Sequence, residues 1–120
     1  MSEGFILNDR RGLGNLERAC PVRTAIDVIG GRWKPSILEL LNEGSCRHRD
    51  LLKSVAGISS QALSMQLRQL SADGVIEKGG ADGSMYRLTA SGQRLAIVMD
   101  GLANWGGAYL NWREGIADRH

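Results

Sequence analysis

One stretch of the chain decides the fold: RHRDLLKSVAGISSQALSMQLRQLSADGVIEKGGADGSMYRLT, which runs from Arg47 to Thr89. Its first eight residues, 47–54, place two adjacent leucines in a helix too short to be stable without a packing partner. The next four, VAGI, supply a turn, because Gly57 takes a left-handed backbone conformation cheaply and Ile58 can anchor the turn in a core. A second helix must therefore follow.

That second helix is predicted from Ser59 to Asp73. Ser59 suits the N-cap, since its side-chain oxygen can accept hydrogen bonds from the backbone N–H groups that follow. Leucines recur at helical spacing and should face inward, namely Leu63, Leu67 and Leu70. The opposite face carries Gln61, Ser64, Met65 and Arg68. Such a face is often merely solvated, but small residues also permit close approach to a major groove, where Gln and Arg can pair with base edges or phosphates.

A hairpin follows and favours the second interpretation. Gly74 should end the helix, and the β-branched run at 75–78 predicts a strand. Residues 85–88 return as its partner, and the loop between them, GGADGS, is rich in turn formers. Lys78 and Arg87 flank a hairpin that suits the phosphate backbone or the minor groove. Helix, turn, helix and hairpin in this order predict a winged helix-turn-helix, which usually binds DNA.

The sequence also resembles a known family, the HxlR-type transcriptional regulators, which are relatives of the MarR-type winged-helix proteins. The matching residues are CPV at 20–22, IGGRW at 29–33, Ile37, Leu38, Leu41, Arg47, Asp50, Leu51, GIS at 57–59, Leu63, Leu67, Arg68, Leu70, DGV at 73–75, YRLT at 86–89 and Gly92. The resemblance runs from about Cys20 to Trp105. It implies a small prokaryotic homodimeric DNA-binding regulator, usually a repressor and sometimes controlled by thiol oxidation.

This chain departs from the family pattern at three places. His48 stands where the family usually has an aromatic residue, and Cys46 where a basic residue or proline is more common. The wing is short and glycine-rich, and it lacks the family's common proline and acidic residue before Tyr86. The contacts of the wing therefore cannot be carried over from the family.

Proline and glycine also divide the amino-terminal half. Pro21 suits the first turn of a helix that Gly30 and Gly31 end, and a second helix is predicted from about Trp33 to Asn42 with Pro35 in its first turn. The expected division is an amino-terminal arm at 1–19, a winged helix-turn-helix domain at 20–113 and a tail at 114–120.

The carboxy-terminal helix carries an apolar seam with heptad-like spacing. The seam consists of Leu95, Val98, Leu102, Trp105, Tyr109 and Trp112. Ile97, Met99 and Leu110 lie off it, so the helix has more apolar surface than a small domain is expected to cover, and a second subunit is the simplest partner. The alternative is packing on its own domain alone. Gly106 and Gly107 indicate either a kink or a close backbone crossing.

These patterns predict a mainly α-helical fold with a small β-hairpin wing and with dimerisation helices at the amino and carboxy ends. A homodimer is expected to bind a pseudo-palindromic duplex. The predicted DNA-binding residues are Gln61, Ser64 and Arg68 in the groove, Ser59 and Ser60 near phosphates at the helix start, and Arg47, Lys78 and Arg87 on the backbone.

Cys20 is the candidate redox-sensing residue. It precedes Pro21 at a helix start, where unpaired N–H groups and the helix dipole stabilise a thiolate, and Arg18 and Arg23 could add to this effect. An isolated cysteine is otherwise usually a small core residue. A small-molecule effector remains open beside an oxidant.

Other functions find little support in the 120 residues. The net charge of +2 is only mildly basic. Cys46 and His48 are too few to complete a zinc site, and phosphate-loop and nucleophile-elbow motifs are missing, so no cofactor, metal or catalytic residue is predicted. No bilayer-length apolar run or secretion signal appears, which predicts a cytoplasmic protein. The rival hypothesis is a winged-helix adaptor that binds proteins instead of DNA.

Overall fold

Residues 20–118, the part of the chain that the computed structural model describes, combine helices with a small sheet. In chain order the elements are α1 (Pro21–Ile29), α2 (Lys34–Glu43), β1 (Cys46–Arg47), α3 (His48–Ser54), α4 (Ser60–Ala72), β2 (Ile76–Gly79), β3 (Met85–Leu88) and α5 (Ala90–Asp118). The expected amino-terminal arm, 1–19, lies outside the described residues. The winged helix-turn-helix prediction is confirmed, with α3 and α4 as the two motif helices and β2 and β3 as the wing.

Proline and glycine mark the limits of the first two helices as predicted. Pro21 is the first residue of α1, and Pro35 lies in the first turn of α2, so neither removes a helical hydrogen bond. Gly30 follows α1 directly, and a Cβ atom there would lie 2.8 Å from the carbonyl oxygen of Ile26. A larger residue would therefore disturb the end of α1.

Local hydrogen bonds set the limits of α4. The Ser59 side-chain oxygen accepts from the Ala62 N–H at 3.1 Å, which confirms the predicted N-cap. The preceding turn contains Gly57 at φ +84° and closes through the Ile58 N–H, which donates to the Val55 carbonyl at 3.3 Å. After α4 the chain turns at Gly74, which adopts φ +76°. The sequence patterns of the turn and both caps thus have direct structural counterparts.

The sheet has three strands in the order β1-β3-β2, one more than the predicted hairpin. β2 and β3 pair antiparallel, with Lys78 opposite Tyr86 and Glu77 opposite Arg87. The additional strand, β1, is two residues long and pairs Cys46 with Tyr86. A two-residue strand is too short to show alternation in the sequence, so only the folded chain reveals it.

A single hydrophobic cluster joins α2, α3, α4, the sheet and the first part of α5. Leu63, Leu67 and Leu70 of α4 are almost completely buried in it, as predicted. Ala96 and Met99 of α5 are also buried there. The prediction that Met99 adds to the uncovered apolar surface of α5 is therefore wrong, because Met99 lies on the side of the helix that faces its own domain.

α5 continues well beyond this core. It extends through Gly106 and Gly107 to Asp118, past the boundary expected at residue 113. A Cβ atom on either glycine would meet nothing within 4 Å, so no close backbone crossing occurs within the described part of the chain. Among residues 20–118, the second half of α5 is mostly exposed.

Candidate nucleic-acid interface

The outward face of α4 is polar, as the sequence predicts. Gln61 and Arg68 are exposed, together with Ser59 and Ser60 at the amino-terminal end of the helix. Met65, 48% exposed, is the large apolar side chain of this face. The inward leucines pack one side of α4 into the core. The polar face therefore belongs to a well-anchored helix.

Ser64 differs from the other predicted groove residues because it is half-buried. Its Oγ atom lies 3.2 Å from Nε2 of His48, the first residue of α3. This hydrogen bond joins the two helices of the motif across their polar side. Sequence reasoning did not find it, although the departure of His48 from the family's usual aromatic residue marked the position.

A basic cleft separates the start of α3 from the wing. Its lining consists of Arg47, His48, Arg49, Lys78, Ser84 and Tyr86. The Lys78 ammonium lies 5.3 Å from the centre of the Tyr86 ring, within the range of a cation–π contact. Three permanently basic side chains around one cleft beside the polar face of α4 create a positive surface suited to phosphates.

Arg47 lies at this cleft, but part of its guanidinium already has partners. Its Nη1 atom donates to Oδ2 of Asp82 at 3.2 Å and also to the Ser84 hydroxyl. Hydrogen bonds from Ser84 and then from Arg47 lower the pKa of Asp82 to about 2. The predicted backbone contact Arg47 is therefore also a structural link to the wing tip.

Arg87 is not brought together with Lys78. Successive residues of a strand point to opposite faces, so Arg87 and its neighbour Glu77 lie on the face opposite to Lys78 and Tyr86. The Arg87 Nε atom donates to Glu77 Oε2 at 2.9 Å, and both side chains remain about half exposed. Arg87 thus carries a partly compensated charge at the far side of the wing.

The two cysteines occupy different environments. Cys20 is exposed and is the N-cap of α1. Cys46 lies half-buried in β1, with Sγ 3.5 Å from the Gly44 carbonyl oxygen. Burial and then the negative charges of Asp50 and Glu43 raise the pKa of the Cys46 thiol. The structure therefore disfavours a reactive thiolate at Cys46.

Large apolar side chains are exposed on the helices at the two ends of the described chain. Those on α1 are Val22 and Ile26, and those on α5 are Ile97, Val98, Leu102, Trp105, Tyr109, Leu110 and Trp112. Trp105 stacks on Tyr109 with ring centres 5.3 Å apart, and Tyr109 meets Trp112 at 5.6 Å. Leu95, the first residue of the predicted seam, instead packs partly buried against the core of its own domain.

Within residues 20–118, His, Cys, Asp and Glu side chains form no group of three that could hold a metal ion. A helix long and apolar enough to cross a membrane is likewise not found in that range.

Comparison with known proteins identifies this arrangement. The model of the HxlR-like helix-turn-helix family matches residues 28–114. The chain belongs to this family. The regulator is 37% identical over 94 residues to the HTH-type transcriptional regulator YdeP of Bacillus subtilis, a match that covers 75% of this chain and 73% of YdeP.

The solved structures that are similar to the regulator include the following two. The redox regulator HypR in its reduced form superposes with a TM-score of 0.70 at 28% identity, over 79% of this chain and 98% of HypR. The quinone-bound YodB of B. subtilis superposes with a TM-score of 0.67 at 26% identity, over 74% of this chain and 98% of YodB. The HxlR-type regulator is thus a winged helix-turn-helix protein of a DNA-binding, transcription-regulating family.

Proposed function

We propose that this HxlR-type regulator is a cytoplasmic homodimeric repressor that inserts α4 of each subunit into the major groove of a pseudo-palindromic duplex. The observation that most directly supports this proposal is the polar face of α4 beside the basic cleft at the wing. A helix in the major groove and a positive wing on the adjacent backbone are the two contacts that a winged helix-turn-helix makes.

The groove contacts are assigned to Gln61, Ser64 and Arg68. Gln and Arg side chains can form two hydrogen bonds with one base, and such bidentate contacts discriminate between base pairs. The Ser64 hydroxyl keeps its bond to His48 and still offers a second hydrogen-bonding site to DNA.

The backbone contacts are assigned to both ends of this surface. Ser59 and Ser60 stand at the start of α4, where free N–H groups and the helix dipole favour a phosphate. Lys78 and Arg47 line the basic cleft. Arg87 lies on the opposite face of the wing from Lys78 and would contact phosphate with its Glu77 partner beside it.

Dimerisation is assigned to the exposed apolar surface of α1 and α5. Leu102 is 52% exposed, Trp105 69% and Trp112 59%. An apolar surface of this extent on a small domain favours association, because covering it removes hydrocarbon and aromatic rings from water. The α5 seam from Val98 to Trp112 would form the centre of the interface, whereas Leu95 packs on the core of its own domain. The proposed division into arm, domain and tail is kept, although α5 continues past residue 113.

The response to an oxidant is assigned to the Cys20 thiol. A small ligand is the other candidate effector. HypR is a redox regulator and YodB binds a quinone, so this fold supports both kinds of response. Cys20 is exposed and precedes Val22, a residue of the proposed interface. Oxidation there could change the distance between the two copies of α4, which must match the half-site spacing.

Selection of bound sites from random duplex DNA, with the reduced protein and after oxidant, tests the proposal. We expect an enriched inverted repeat whose recovery changes after oxidation, and a dimer by light scattering at micromolar concentration. A folded protein that enriches no sequence would favour the adaptor hypothesis. To test repression, the selected site is placed in a promoter, and the regulator should lower reporter output.

A further inference from the structure

The wing tip carries a carboxylate in the region proposed to face DNA. Asp82 uses both of its oxygens there: Oδ1 accepts from the Ser84 N–H at 3.1 Å and from the Ser84 hydroxyl at 2.7 Å. Its other oxygen, Oδ2, lies 3.2 Å from Nη1 of Arg47. The same arginine nitrogen donates to the Ser84 hydroxyl, which closes a three-residue network. We call Arg47, Asp82 and Ser84 the wing clasp.

The arginine end of the clasp is anchored in the motif. Arg47 belongs to β1, where it pairs with Met85, and it is also the N-cap of α3. Its backbone N–H donates to Oδ2 of Asp50 at 3.1 Å, within the first turn of that helix. The wing clasp therefore connects the outer end of the hairpin to the first helix of the helix-turn-helix.

The wing tip has little else to hold it. Ala81, Asp82 and Gly83 are exposed, and the loop contains Gly80 at φ +88° and Gly83 at φ +72°. Glycines of this kind leave an unfolded loop many conformations, and the exposed tip buries no large apolar side chain that would select one. Within the described part of the chain, the loop is also closed by the Gly83 N–H, which donates to the Gly80 carbonyl at 3.3 Å. The polar side-chain contacts of the clasp are what connect this loop to the rest of the domain and favour a single conformation.

Taking the proposed DNA-binding function as given, we propose that Asp82 is a positioning residue for DNA binding, which holds the wing in its binding position through Ser84 and Arg47. A negative charge near phosphates opposes binding by itself. With its pKa lowered to about 2, the carboxylate remains ionised near neutral pH. The order that Asp82 imposes on the loop then explains a carboxylate at this position. A loop that is already ordered loses less conformational entropy on binding.

The two effects of Asp82 predict opposite results for its removal. If the local charge decided affinity, Asp82→Ala would bind the selected operator more tightly, because it removes a repulsive charge and releases Arg47. If the clasp decides affinity, the variant binds more weakly, by up to about fivefold, the range of an exposed charged contact. The direction of the change in affinity therefore distinguishes the two effects. All variants are compared at one salt concentration, since salt changes every phosphate contact.

A double-mutant cycle makes the test specific to the pair. We expect Arg47→Ala to weaken binding more than Asp82→Ala, because it also removes a proposed phosphate contact, and the double variant to bind little more weakly than Arg47→Ala alone. Asp82→Asn should bind with intermediate affinity, because its amide oxygen can still accept from the Ser84 N–H. A pure charge effect would instead make the Asn and Ala variants equal.

Glu77→Gln is the matched control: it removes the other wing carboxylate outside the clasp and should leave affinity equal or higher.

Thermal unfolding of each variant provides the structural control. The clasp is exposed, so Asp82→Ala should unfold within a few degrees of the parent while binding DNA more weakly. Equal or tighter binding by Asp82→Ala overturns the positioning role, as do strictly additive effects in the cycle. If the parent protein enriches no DNA sequence, the proposed function fails and the inference with it; if the parent binds and Asp82→Ala is unchanged, the inference alone fails.

Discussion

Gly92 illustrates how closely single residues are constrained where α5 meets the wing. A Cβ atom at this position would lie 2.0 Å from the Val75 carbonyl oxygen and 3.3 Å from Cβ of Leu88. The Gly92 N–H also donates to the Thr89 hydroxyl at 3.1 Å, and Thr89 in turn donates to the Gly74 carbonyl. A side chain would therefore separate α5 from the sheet, which explains the glycine at this position.

Gly92→Ala should reduce the free energy of unfolding by about 1–3 kcal/mol, the usual cost of forcing an extra carbon into a close contact. The obstacle is backbone, so it cannot be relieved by a rotamer change. Urea denaturation of both proteins measures the difference. Gly115→Ala is the control, because a Cβ atom there meets nothing within 4 Å and alanine favours the helix. Equal losses for both variants would contradict the steric explanation.

Side chains of α4 and of the wing should affect DNA binding in different ways. Replacing Arg68 or Gln61 by Ala should cost about 1–3 kcal/mol of binding free energy and relax base preference at one position. Replacing Lys78 by Ala should weaken all sequences alike and make the salt dependence of affinity shallower. Titrations of the operator and of single-base variants at several salt concentrations separate the two patterns. Unchanged operator binding by Arg68→Ala would show that α4 is oriented differently.

The cysteines should differ in their response to oxidants. Cys20 is exposed, whereas burial and neighbouring carboxylates raise the pKa of Cys46, so iodoacetamide should alkylate Cys20 first near neutral pH. Cys20→Ser should keep DNA binding in the reduced state and lose the response to diamide or peroxide. Cys46→Ser should respond like the parent. A full oxidant response in Cys20→Ser would leave Cys20 without a sensing role.

At the scale of elements, α5 combines two kinds of surface. Its first part places Ala96 and Met99 in the core, and its second part exposes the aromatic residues from Trp105 to Trp112. The heptad-like spacing of the sequence covers both parts and does not distinguish them. The transition occurs because the helix extends past the edge of a small domain, beyond which its apolar side chains meet water or a second subunit.

Leu102→Lys should convert a dimer to a monomer at micromolar concentration. The lysine would introduce a charge at the centre of the proposed interface, where burying it without a partner is costly. Light scattering measures the mass. Asn104→Lys is the matched control, since it adds the same charge to an exposed polar position two residues away on α5. A dimer that survives Leu102→Lys but not Asn104→Lys would place the interface on another face.

At the scale of the whole molecule, the proposed dimer would hold two copies of α4 at a fixed distance. Half-sites should therefore be centred about 34–36 Å apart, one turn of the duplex, or a multiple of this distance. Inserting about five base pairs between them rotates one half-site by half a turn. Affinity for the full site should then fall to that of a single half-site, measured by titration. Unchanged affinity would indicate that each subunit binds independently.

The sequence alone determined the order of the helices and of the two hairpin strands, and most of their limits. Ser59, Pro21 and Gly74 act on the backbone within a few residues of themselves, so their effects do not depend on the rest of the fold. The leucines of α4 repeat with the helical period, which identified the buried and the polar faces together. Local chemistry and periodicity were sufficient for these features.

The tertiary structure decided the contacts between distant parts of the chain. Arg47 meets Asp82 at a separation of 35 sequence positions, and His48 meets Ser64 at a separation of 16. The strand β1, the separation of Arg87 from Lys78 and the burial of Met99 also depend on how elements are placed against one another. No local pattern encodes these pairs, because each one forms only when the turn, the sheet register and the packing of α5 bring its two members together.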